Sequence, residues 1–209
     1  MSRRRMFAWG TIAFTMLVLP ALLVGCGGGG GGGGGGGTED PTADSLTREG
    51  WSAFEDGDLA AASMRFADAL ALDADHVDAF VGQAWVGLRR LEFATAADRF
   101  AQALQRDAGN LDALAGEVLV AVAAAEPSAV RPTAAALLLA GPNYRFAHDK
   151  GYSVSDIRWF AARAALEMAD YAAVGEQLDS LAPDHGLDPG AAAFVEQAAA
   201  LLESLRTTV

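Results

Sequence analysis

Between Ala43 and Asn110, apolar side chains recur three and four positions apart, in blocks broken by short polar turns. The first block places Leu46, Trp51 and Phe54 on one helical face. After a turn at Gly57-Asp58, the next aligns Ala62, Phe66 and Ala69-Leu70. That pair of amphipathic helices then returns, without a gap, 34 residues later. Trp51 comes back as Trp85, Phe54 as Leu88, Leu59 as Phe93 and Ala62 as Ala96. Arg65 comes back as Arg99, Phe66 as Phe100, Ala69-Leu70 as Ala103-Leu104 and Asp73 as Asp107, with Leu91-Glu92 making the second turn. A third copy opens in register, Asp78-Ala79 being answered by Asp112-Ala113.

The third unit begins at Leu111 and becomes irregular near Pro127. Its second helix is expected from Pro132 to Ala140, stopped by Gly141-Pro142. A weaker fourth unit follows from Ser155 to about Ala182, with Trp159, Ala162 and Leu166 on its first helix. Asp170-Tyr171 makes its turn, and Val174, Leu178 and Leu181 mark its second helix. A last amphipathic helix over Gly190–Thr207 groups Phe194, Ala198, Leu201, Leu202 and Leu205, as the closing element of a helical stack must.

Paired helices at a 34-residue spacing resemble the tetratricopeptide repeat. The resemblance is strongest in the second helices, where a small residue precedes an aromatic by four: Ala62-Phe66, then Ala96-Phe100. The first helices depart from the pattern, and the usual closing proline is replaced by Ala74 and Ala108. What the resemblance implies is an all-α solenoid of antiparallel helix pairs, three to four units over 43–76, 77–110, 111–140 and 155–188, with 189–209 as the cap. It also implies that first helices line a groove for a protein or peptide partner. Trp51, Trp85 and Leu119 would form the ridge of that groove, flanked by Phe54, Leu88 and Val122 and by Glu55 and Arg89. The two tryptophans could equally pack between first helices as core.

Residues 143–154 stand apart from the repeats. They set Tyr144, Phe146 and Tyr152 among Arg145, His148, Asp149 and Lys150, the chain's one lysine. Such mixtures of rings and charges mark functional loops on rigid scaffolds, although these rings could also pack onto the end of the array.

The first forty residues have another character. Arg3, Arg4 and Arg5 precede an uncharged, mostly apolar run from Met6 to Gly25, the pattern of an export signal. Its end, Leu23-Val24-Gly25-Cys26, resembles the bacterial lipobox. That resemblance implies cleavage of 1–25 and lipidation of Cys26, giving a membrane anchor. Twenty uncharged residues also suffice to span a bilayer, but Pro20 and the cysteine ending weigh against that reading. Residues Ser2 to Phe7 loosely fit a twin-arginine signal as well, so the export route stays open. Gly27–Gly37 is an unbroken glycine run, which has no side chains to bury; 26–42 is therefore a tether reaching on the order of 20–25 Å. Glycine rather than aspartate follows Cys26, which by resemblance implies a bacterial outer-membrane destination facing the periplasm.

Charge and missing chemistry narrow the function. Removing the three leader arginines leaves 12 basic side chains against 27 acidic ones, a net charge of −15, which disfavours nucleic acid as a ligand. One cysteine cannot build a disulfide, a zinc site or a redox pair within the chain. No cofactor motif occurs, and His76 and His185 read as exposed turn residues without metal-ligand spacing. His148-Asp149 could orient an imidazole, but no serine elbow accompanies it. The expectation is a non-enzymatic, lipid-anchored adaptor; the rival is a ligand-binding or enzymatic envelope protein using the 143–154 loop.

Overall fold

The computed structural model describes residues 40–149 and 151–206; Cys26, the glycine run and Lys150 lie outside them. Among the described residues there are nine α-helices. They are α1 Ala43–Glu55, α2 Leu59–Leu72, α3 Val77–Arg89, α4 Phe93–Arg106, α5 Leu111–Ala123, α6 Pro127–Ala140, α7 Val154–Glu167, α8 Tyr171–Leu181 and α9 Phe194–Arg206. Each odd-numbered helix up to α7 packs against its successor, each pair stacks on the next, and α9 closes against α7 and α8. None of these helices is long and apolar enough to cross a membrane.

Local chemistry accounts for the helix ends. Thr42 caps α1 in a reciprocal capping box with Ser45, and Ser153 does the same for α7 with Asp156. Asp58, Asn110 and Asp170 each accept a backbone N–H from the third residue on, at 2.9, 3.0 and 3.2 Å. The four turns inside the pairs are copies of one another. Gly57, Leu91, Ala125 and Ala169 all have positive φ. In each turn the next residue donates its N–H five residues back: Asp58 to Ala53, Glu92 to Gly87, Glu126 to Ala121 and Asp170 to Ala165. Glycine adopts this left-handed corner freely, whereas Leu91 and the two alanines hold it at about 1–2 kcal/mol each.

Those corners also measure the repeat. Gly57, Leu91 and Ala125 stand 34 apart, while Ala169 follows Ala125 by 44. The array thus keeps its period through α6 and resumes after a ten-residue insertion. This corrects the expectation that α6 starts at Pro132. Pro127 occupies the first turn, where a missing N–H costs nothing, and Pro132 lies inside the helix. The carbonyl Pro132 cannot reach belongs to exposed Ser128, which water can serve. The last helix also starts later than expected, at Phe194, because Gly190–Ala193 turn against Asp188.

Rings wedged on glycines set the distance between pairs. Phe66 of α2 fills the space over Gly50 and Gly82, and Phe100 of α4 fills that over Gly116; a Cβ at Gly82 or Gly116 would collide with the ring. At the third junction the sizes are exchanged. Ala134 holds the place of the two phenylalanines, and Phe160 the place of the two glycines once the insertion is counted. One buried cluster runs from α1 into α7, and a second joins α7, α8 and α9 around Val174, Leu178, Phe194 and Leu202.

Candidate functional site

The described residues of the ten-residue insertion form a hairpin, which lies on the face formed by α1, α3 and α5. Arg145 and Ser153 pair antiparallel. Phe146 donates its N–H to Tyr152 O at 2.9 Å, and Val154 to Tyr144 O at 2.8 Å. Extended backbone sends alternate side chains to opposite sides. Tyr144 and Phe146 are accordingly buried and His148 half-buried, while Arg145 and Ala147 are exposed.

The inward side chains meet the tryptophans. Phe146, 1% exposed, stacks on Trp85 with ring centroids 3.9 Å apart and planes 15° apart. It also meets Trp51 and Phe54 edge-on at 5.9 and 6.4 Å. His148 stacks on Trp51 at 3.9 Å with planes 2° apart, and Tyr152 tilts against Trp85 at 5.5 Å. The contacts bring Trp51 and Trp85 to 4% and 2% exposure. The sequence leaves the tryptophans open between groove and core; both stand on the first-helix face and are covered there by the chain's own hairpin.

Polar contacts fasten the same strand. His148 Nδ1 lies 2.7 Å from Glu55 Oε1, and since a carboxylate only accepts, the imidazole donates. Arg89 sits over the Phe54 ring at 4.5 Å and donates to Asp149 Oδ2 at 3.0 Å. His148 and Asp149 therefore serve different partners and do not form an imidazole–carboxylate pair. Tyr144 Oη donates to Asp112 Oδ1 at 2.8 Å. Burial pushes the Asp112 carboxyl up, opposed by that hydrogen bond and by His148, with Asp78 adding to the rise. Burial, reinforced by Asp112, raises Tyr144 so far that it remains a donor. Tyr152 is also raised, by burial and Asp149 against Arg89.

The remaining groove candidates, Leu88, Leu119 and Val122, are half-buried against the core. Two residues the sequence shows only as repeat markers have roles here. Asp78 accepts the Trp51 indole N–H at 3.1 and 3.2 Å, while Trp85 donates to the Asp112 carbonyl at 3.2 Å. Their recurrence 34 residues apart, each 27 residues after a tryptophan, was the available signal. His185 is a correction: its side chain is 6% exposed and links Asp179 to the Leu187 N–H, tying down the connection to α9. Among the described residues no three His, Cys, Asp or Glu side chains are grouped to hold a metal ion.

Stacked helix pairs with a lined first-helix face define the class: the chain has the tetratricopeptide-repeat fold. Solved structures bear this out. A tetratricopeptide repeat protein from Parabacteroides merdae ATCC 43184 matches 79% of the chain with a TM-score of 0.57 at 14% identity, and the chain spans 60% of that protein's length. MamA matches 79% of the chain and 86% of its own length, with a TM-score of 0.57 at 12% identity. YrrB, described as a tetratricopeptide protein with an unusual peptide-binding site, matches 79% of the chain and 78% of its own, with a TM-score of 0.56 at 20% identity. No protein-family model and no curated protein matches the sequence.

Proposed function

We propose that this protein is a membrane-anchored, non-catalytic scaffold that receives another envelope protein, or a peptide segment of one, on the face of α1, α3 and α5. The observation that carries the reading is that a strand of polypeptide already lies there, its rings stacked on Trp51 and Trp85. Large flat side chains of this kind desolvate well and anchor interfaces. The peptide-binding description of YrrB supports the same use of the fold. The anchor rests on the lipobox-like ending at Cys26. Outer-membrane placement, facing the periplasm, rests on the glycine that follows it. The surplus of carboxylates favours basic or mixed partners over nucleic acid.

The test is photo-crosslinking in native membranes from a probe at Arg145 or Ala147, on the outer side of the hairpin, against one at exposed Leu139 of α6. One discrete adduct from the hairpin positions, missing from Leu139, is expected. Equal yields from both places, or none from the hairpin, would remove the assignment. Labelled fatty acid should enter the chain and fail to enter Cys26→Ser; incorporation into both would exclude the anchor.

A further inference from the structure

The strand over residues 144–148 is read one repeat at a time. Tyr144 meets Asp112 of α5, Phe146 meets Trp85 of α3, and His148 meets Trp51 of α1. Every second residue thus falls on the next first helix, in descending order of repeat. The lengths allow it: two residues of strand advance about 6.6–6.8 Å, and packed helices stand roughly 8–10 Å apart, a difference that ring-sized side chains span. Position along the array, set by the 34-residue period, is matched to position along a strand, set by its period of two.

We infer that this face is a reader of extended segments with aromatic side chains at alternate positions, and that residues 144–148 are its built-in competitor. This deepens the scaffold reading and rests on it for the existence of a partner. The occupant it fits is a protein segment of the form ring–x–ring–x–planar cation or imidazole–carboxylate. The first ring carries a hydroxyl for Asp112 and the second lies flat on Trp85. The planar group, histidine or arginine, fits between the Trp51 ring and Glu55, and the carboxylate meets Arg89. Charge complementarity fixes the direction, since Glu55 and Arg89 lie at the end where the strand presents His148 and Asp149.

The hairpin's attachment suits a competitor. Its ladder has two backbone hydrogen bonds among the described residues. Among the described residues, no backbone hydrogen bond joins 144–148 to α1, α3 or α5. Side chains alone hold it there, and a segment with the same side chains can replace them. Being tethered, the hairpin competes at an effective concentration on the order of millimolar, so it attenuates partner binding without abolishing it.

The experiment measures binding of a fluorescent peptide, acetylated Tyr-Arg-Phe-Ala-His-Asp amide, to the full chain and to a Phe146→Ser, His148→Ser variant, which leaves all face residues in place. The variant is expected to bind at least tenfold tighter than the unmodified chain, and replacing the peptide's phenylalanine by alanine should weaken binding at least tenfold. A folded variant that ignores the peptide, or takes both peptides equally, overturns the inference. Should the variant fail to fold, hydrogen exchange on the unmodified chain decides. Millimolar peptide should speed exchange of the Phe146 and Val154 amides and leave α2 and α4 unchanged, and unaltered exchange at those two amides overturns it. Peptide binding with no envelope adduct would remove the scaffold and keep the reader; an adduct without peptide binding would do the reverse.

Discussion

Trp51 and Trp85 hold the same place in successive repeats and illustrate how one position acquires two environments. Each ring has a phenylalanine wedge at its edge, Phe66 for the first and Phe100 for the second. Each indole N–H points towards the aspartate 27 residues on. There the likeness ends. Trp51 takes the carboxylate of Asp78, whereas Trp85 takes the backbone carbonyl of Asp112, whose carboxylate receives Tyr144. Trp51 is covered by an imidazole and Trp85 by a benzene ring. The repeat supplies the platform, and the insertion decides what each platform carries.

Removing the rings tests this most severely. Trp85→Ala opens a hole with structure on both sides, at a cost of about 3–5 kcal/mol. Trp51→Ala, in the first repeat among the described residues, should fall at the lower end of that range because its site can collapse. Urea unfolding of the two variants measures the gap, and equal losses would mean the end of the array is no softer than its middle. Next in size is Gly116→Ala, whose added methyl collides with Phe100 beside Trp85; overpacking of this sort costs about 1–3 kcal/mol. Gly82→Ala, under Phe66, should match it, because the wedge is common to both junctions.

Tyr144→Phe separates the two sites more finely. It strips the half-buried Asp112 carboxylate of its donor, an expected loss of about 1–3 kcal/mol, and Asp112→Asn should recover much of that loss in the double variant. A pH series sharpens the point. Asp112 is raised, so its stabilising contribution is complete below its ordinary 3.8 and is lost as the pH climbs through the higher folded value. Unfolding free energies measured from acid to neutral pH should therefore fall in the unmodified chain relative to Asp112→Asn, and parallel curves would deny the raised carboxyl. The smallest effect is expected at the rim. Glu55→Gln weakens a partly exposed contact with His148 and should cost about 0.2–1 kcal/mol, seen as a small shift in urea midpoint.

Little of the site was legible, although much of the scaffold was. The face residues Trp51, Trp85, Glu55 and Arg89 could be picked out because stacking equivalent helices brings equivalent residues into line. The hairpin residues could be picked out because they break the repeat. That the second set lies upon the first was not legible, since it depends on contacts between residues 60 and 93 apart in sequence. Pro132 misled for the opposite reason: a proline is a local sign of a helix start, and here exposure of Ser128 lets the helix continue through it. His185 resembled any surface turn residue until its neighbours closed around it.

What the sequence determined by itself was the period, the pairing of helices and the turns at Gly57-Asp58, Leu91-Glu92 and Asp170-Tyr171. Each of these follows from side chains within a turn or two of one another, or from a unit that must bury the same face again. What only the tertiary structure decided was the destination of the ten inserted residues. Their rings had to be buried somewhere, and the choice of the two tryptophans was made by shape, stacking and paired charge across segments that share no local pattern.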